Sequence, residues 1–334
     1  MSRINDIVGT VIGLPASRGE RILYGVGIAG FVALAVVPLI TTGNSILRLL
    51  FTAFIWGGYA VAWNLFSGYS GYTSFGHALF FGTGAASSTI LLAQFDVSPW
   101  IGMLIGAVLA MTLALLLGYI TLDYVSGIYF SLLMLSIPLA VIPVFLFFGY
   151  IEVSIPFNPG RFGYMSYRDL GNYYYISLAA LLVTVLCSLY IRKSRVGRYL
   201  RAIKTNEKAA QSIGINTLKW KLATFGLSGF LSAVFGTIYI QTQFIFTPQS
   251  VFGVNALAQP VVIALVGGVK SVTGPAVAGL ILVPIASRLQ SSLSGQFPGV
   301  DNFLYGLLLI VVIIFLPDGF YVEFKNRVTA WFEK

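Results

Sequence analysis

Apolar residues in this chain do not alternate with polar ones; they run on in stretches near twenty residues, separated by short polar or glycine- and proline-bearing joints. Ten such runs stand out, at 22–40, 46–66, 75–95, 99–120, 125–148, 173–191, 222–243, 255–269, 273–288 and 301–317. An α-helix rises 1.5 Å per residue, so roughly 20 apolar residues cross a hydrocarbon core of about 30 Å. The pattern predicts an all-α polytopic membrane protein, a bundle of about ten transmembrane helices forming one domain over 1–334. A membrane β-barrel would show alternating segments of about ten residues instead. Runs 255–269 and 273–288 are interrupted by Pro260, Gly267, Gly268, Gly274 and Pro275. They read either as two crossings or as a broken pair of half-helices, which sets the count at eight to ten.

The polar segments between the runs sort by charge. Residues 1–21 carry Arg3, Asp6, Arg18, Glu20 and Arg21 ahead of the first apolar core, unlike a cleavable leader. Ile4, Ile7, Val8, Val11 and Ile12 at helical spacing suit either a short interfacial helix or an ordinary polar lead-in. With the N-terminus inside and ten alternating crossings, sixteen of the twenty Lys and Arg fall on the inner side, nine of them in the loop 192–221. The outer loop 149–172 holds Arg161 and Arg168, while Arg48 and Arg288 sit near outer helix ends where long side chains reach back to water. Cationic loops stay inside, so both termini are expected in the cytoplasm.

Composition agrees: 57% of residues are hydrophobic, 9% are charged and mean hydropathy is +0.87. Soluble domains carry roughly a quarter charged residues, so a water-soluble protein is excluded. The net charge of +9 then reflects topology and contact with membrane lipid, with no nucleic acid partner implied. Small residues four apart, as in Gly102 and Gly106 or Ser228, Ser232 and Gly236, suit close helix packing.

The inventory for chemistry is short. His77 is the single histidine and Cys187 the single cysteine, so no metal site and no disulfide within the chain are expected. There is no phosphate-binding Gly-Lys-Ser/Thr loop, no mid-span carboxylate and no implied cofactor. An enzyme and an ion-coupled transporter both lack their parts. Amides in or near the spans are Asn64, Gln241, Gln243, Asn255 and Gln259; Gln259, beside helix-breaking Pro260, is the preferred candidate for a translocation path, with His77 and Asn64. His77 reads more readily as an interhelical hydrogen bond to a carbonyl. The outer loop 149–172, with Glu152, Arg161, Arg168 and Asp169, suits docking of a partner through charge pairs, or a long connector.

The loop 192–221 has local structure of its own. Asn206 or Thr205 is placed to cap a short helix starting at Glu207, and Gly214 to end it. Ala209 and Ala210 ride on those two turns, forming a knob at the membrane face.

The sequence Glu207-Lys-Ala-Ala with Gly214 resembles the Glu-Ala-Ala-x-x-x-Gly loop of permease subunits of ATP-binding cassette importers. The wider run Gly197–Ile215 is similar to the version in branched-chain amino acid permeases. Four further stretches match in order: Gly68–Ala85, Gly127–Leu135, Val266–Pro275 and Leu316–Phe320. The resemblance covers about 60–320. It implies an inner-membrane permease of a prokaryote that pairs with a second homologous permease, two cytoplasmic ATP-binding subunits and a periplasmic substrate-binding protein. It further implies that ATP hydrolysis occurs on those partner chains and that Arg201, Glu207, Ala209, Ala210 and Gly214 belong to the ATPase-coupling segment. The implied cargo is branched-chain or related amino acids, with urea or short amides as the alternative and a channel or secondary transporter as a more distant one. Two departures stand out: Phe147–Pro156 replaces the Thr-Gly-Gly run many members carry after the fifth span, and Asp318 replaces a usual basic residue.

Overall fold

The computed structural model describes residues 18–41, 43–125, 127–156 and 163–293, with 306, 319–321 and 323 beyond them. The lead 1–17, Arg161 and the apolar run 301–317 apart from Gly306 lie outside the described residues.

The described chain is mostly helical. In order the helices are α1 (Arg18–Ile40), α2 (Asn44–Ser70), α3 (His77–Phe95), α4 (Pro99–Thr121), α5 (Gly127–Phe147) and α6 (Leu170–Lys193). Then come α7 (Arg195–Thr205), α8 (Glu207–Ser212), α9 (Thr217–Gln243), α10 (Pro248–Phe252), α11 (Val254–Gly267) and α12 (Gly274–Leu293). Two two-residue strands, β1 (Val153–Ser154) and β2 (Ile245–Phe246), pair antiparallel, with Val153 opposite Phe246. Among the described residues seven helical stretches are long and apolar enough to cross a membrane: α2, α3, α4, α5, α6, α9 and the run Pro248–Gly267 through α10 and α11. Shorter apolar stretches, Ala29–Ile40 and Gly274–Leu289, lie in α1 and α12.

Chain breaks follow ordinary turn chemistry. Gly71 takes φ +81° after α2, a left-handed conformation a side chain would resist, and Pro99 opens α4 where its missing N–H is harmless. Asp169 caps α6 by accepting from the Gly171 N–H at 2.9 Å.

Helices α2, α3 and α9 form the centre. Nearly all of α2 from Ala53 to Ser70 is buried, whereas α4 and α5 expose Ile101, Leu104, Val108, Leu132 and Val144. A wet surface would not tolerate that apolar face; lipid does. Close approach relies on small residues: a Cβ on Gly84 would strike the Ala233 backbone on α9, one on Gly236 the Phe81 carbonyl, and one on Gly106 the backbone of Gly84. The seam lets α3, α4 and α9 pack backbone to backbone.

The connections gather at two ends. At one, Tyr164 donates from its hydroxyl to the Asp96 carboxylate at 2.6 Å, Ser98 donates to the Gly163 carbonyl, and β1 meets β2, tying the long loop to the α3–α4 and α9–α10 joints. The opposite end collects the α2–α3 turn, the α6–α9 connection and the α11–α12 turn.

Candidate functional site

The second end is where the five distinctive sequence stretches meet. Helix α7 is amphipathic: Val196, Leu200 and Ile203, at spacings of four and three, fall on one side. Leu200, Ile203 and Ala210 pack with Tyr69 of α2 and Val272 of the α11–α12 turn in a small buried cluster. Lys204 reaches out of α7 and donates to the Gly68 carbonyl at 2.8 Å. Partial burial there, reinforced by the charge of Lys270, lowers its ammonium from the ordinary lysine value.

Helix α8 is built as its local sequence dictates. The Asn206 side chain accepts from the Ala209 N–H at 3.1 Å, satisfying a helix-start donor, and Gly214 takes φ +84° just after the helix. On six residues the two alanines cannot face the same way. Ala210 turns into the cluster and Ala209 is exposed, along with Gln211, Ser212 and Gly214. Ile213 is 75% exposed, a large apolar side chain at the tip of the segment. Arg201 lies on the exposed side of α7.

Glu207 turns inward. Its carboxylate pairs with the Lys221 ammonium on α9 and accepts from the Tyr72 hydroxyl at 3.4 Å. Lys221 is fully buried, donates also to the Tyr72 oxygen at 3.3 Å, and stands 4.4 Å from the centre of the Tyr72 ring. Tyr72 belongs to the α2–α3 turn, so three elements close on one carboxylate.

The other stretches join there. Ser131 of α5 donates to the Thr73 carbonyl at 2.6 Å, and Phe130 meets Tyr72 edge to face. Gly76 abuts Met134 so closely that a Cβ would overlap its carbonyl. Asn64 donates to the Ser271 carbonyl at 2.7 Å, fixing the α11–α12 turn against α2. Gly319, from the C-terminal stretch, lies directly on Gly267 and Gly268, at φ +91°.

The three candidate path residues are not brought together. His77 is 1% exposed, surrounded by Trp63, Phe66, Phe80 and Phe225. Its Nε2 lies 2.6 Å from Ser228 Oγ, which donates to the Ala62 carbonyl, and its Nδ1 lies 3.1 Å from Ser74 Oγ. Because Ser228 spends its proton on Ala62, the contact with Ser228 needs Nε2–H as donor. Asn64 is equally buried, bridging helices; its Oδ1 has no hydrogen-bond partner among the described residues. Gln259 is half-buried on α11. Sequence reasoning named neither Lys221 nor Tyr72 nor Ile213 as functional.

An apolar crevice of about 580 Å³ runs between α3, α4 and α5, lined by residues including Leu109, Ile137 and Phe252, with Thr83 and Ser87 its polar positions. It offers no charged group to a polar cargo. Among the described residues no group of three or more His, Cys, Asp or Glu is placed to hold a metal ion.

The family model described as "branched-chain amino acid transport system / permease component" matches residues 45–313. LivH, a high-affinity branched-chain amino acid transport system permease protein of Escherichia coli K12, is 33% identical over 145 residues, covering 43% of this chain and 45% of LivH. This chain therefore matches less than half the length of that relative. LivM of the same organism is 23% identical over 343 residues, covering 95% of this chain and 79% of LivM. The nucleoside ABC transporter permease protein NupC of Lactococcus lactis subsp. cremoris is 27% identical over 248 residues, covering 66% and 74%. No solved structure matches.

Proposed function

We propose a function from one premise: the chain belongs to the branched-chain amino acid transport system permease family, the membrane-embedded subunits of ATP-binding cassette importers. On that premise it forms, with a second homologous permease, the pathway through which branched-chain or related amino acids enter the cytoplasm. Two ATP-binding subunits supply the energy and a periplasmic binding protein delivers the cargo. The relatives include a nucleoside permease, so the amino acid assignment rests on LivH and LivM together with the family's own description.

The observation that carries the mechanism is the geometry of α8. It is a short capped helix outside the bundle, apolar at its tip through Ile213, seated by Ala210 and Glu207 on helices that run the length of the protein. An ATP-binding subunit gripping Ala209, Gln211 and Ile213 moves α8 as a knob. The packed cluster behind it hands that displacement to α2 and α9 as a rigid-body shift. With both termini inside, this end faces the cytoplasm, in accord with its cationic loops. Arg201 and Gly214 flank the same docking face. Gln259, beside Pro260 within α11, is the proposed path residue; Asn64 and His77 hold the helices that flank it.

The test is assembly. Ile213→Asp or Ala209→Arg places charge on the exposed face, where it disturbs neither cap nor core. Co-purification with the ATP-binding subunit should fall at least about tenfold, roughly 1.4 kcal/mol or more, while thermal stability of the isolated permease holds. Unchanged assembly and uptake would remove the docking assignment. For cargo, thermal-shift screening of the partner binding protein should show stabilisation by leucine, isoleucine or valine; stabilisation by amides alone would replace the amino acid reading.

A further inference from the structure

We propose that Lys221, with Tyr72, is the internal latch that makes α8 move as one body with α9 and the α2–α3 turn. The inference rests on α8 being the ATPase-docking element and names the residues that carry its motion into the membrane.

Lys221 sits one turn into α9, at a position buried completely. Desolvating an ammonium costs far more than burying an aliphatic side chain of the same length, so a packing role alone does not account for lysine. What accounts for it is its surroundings. Its nitrogen donates to Glu207 on α8 and to the Tyr72 hydroxyl, and lies against the Tyr72 ring. The Tyr72 hydroxyl donates in turn to the second Glu207 oxygen. The three groups form a closed triangle whose corners belong to α8, α9 and the α2–α3 turn.

Glu207 is not needed to cap α8, since Asn206 already satisfies the Ala209 N–H. Its carboxylate is therefore free to serve the inward contact, while Ala209 and Ile213 face outward. A partner grips one side of α8 and the latch holds the other. From Tyr72 the contact continues through Phe130, edge to face at 5.5 Å, to Phe66 and Phe225, which lie on α2 and α9. Without the triangle, α8 keeps Ala210 and Ile215 on the apolar cluster, one hydrogen bond from Gln211 to Thr217 at the start of α9, and its two chain connections.

Lys221→Met tests this. It keeps length and apolar fill, and Glu207, 30% exposed, reaches water instead of becoming a stranded charge. In the purified full chain, amide exchange over 206–216 should accelerate about tenfold or more in Lys221→Met and remain near wild type in Lys221→Arg. In the transporter assembled with both ATP-binding subunits and the binding protein, cargo moved per ATP hydrolysed should fall about fivefold or more, with co-purification of the ATP-binding subunit retained. Wild-type exchange in Lys221→Met overturns the latch. Faster exchange with an unchanged transport-to-hydrolysis ratio overturns its role in transmission. Failure of the wild-type chain to bind the ATP-binding subunit overturns the docking reading instead, and the exchange arm still decides the latch. Should Lys221→Met fold poorly, the exchanged pair Glu207→Lys with Lys221→Glu replaces it: wild-type exchange there supports the latch, and accelerated exchange overturns it.

Discussion

His77 marks the limit of what single residues disclose. From sequence, a lone histidine in an apolar run fits a helix contact better than a path but names no partner, because Ser228 lies 151 residues away. In the fold it joins α2, α3 and α9 through two serines inside a ring of aromatics. His77→Ala should therefore destabilise the protein by about 2–4 kcal/mol, through an emptied volume and the loss of two buried hydrogen bonds. Thermal unfolding of the detergent-solubilised chain checks this; wild-type stability would mean the ring is not structural. Asn206 is the opposite case. A cap is written within four residues, so the start of α8 was legible, and Asn206→Ala should cost about 1 kcal/mol, read as faster amide exchange confined to α8. The Glu207–Lys221 pair escaped notice because its closure depends on how α9 seats against the α2–α3 turn, which no local pattern records.

Among elements, the long helices were the most legible feature, since each apolar run is itself the signal. The β1–β2 pair was not anticipated: two residues a side carry no alternation to detect. The run 248–267 is divided by Gly253 into α10 and α11, with Pro260 retained inside the second helix, so the expected interruption at Pro260 falls instead seven residues earlier. Glycine spacing announced close packing without naming the partners, and the structure supplies them. Gly84→Val should block the contact with Ala233 and sharply reduce folded yield, whereas Gly30→Ala, with open space around it, should leave stability within about 0.5 kcal/mol. Size-exclusion profiles of the two variants make the comparison; equal profiles would deny the seam.

At the scale of the molecule, the ordered stretches identified the family because their sequence order survives without knowledge of packing. That they converge at one end is a property of the fold alone: Tyr72, Ser131, Glu207, Ser271 and Gly319 come from five separate segments and meet around the α2–α3 turn and the α11–α12 turn beside it. The cargo was less legible, since selectivity depends on which side chains a path presents in its open form. The separation of loops into two ends gives a direct topological expectation. A cysteine at exposed Ser212 should react with a membrane-impermeant maleimide only after permeabilisation of the inner membrane, and one at exposed Gln249 before it. The reverse labelling order would invert the orientation.

The central claim is that α8 is the place where an ATP-binding subunit grips this permease. A photo-reactive residue at Ile213, in the assembled transporter, measures it without relying on loss of function. The expected result is a cross-link from position 213 to the ATP-binding subunit, with none from the same probe at Gln249. Efficient capture of that subunit from Gln249, with none from Ile213, would contradict the account.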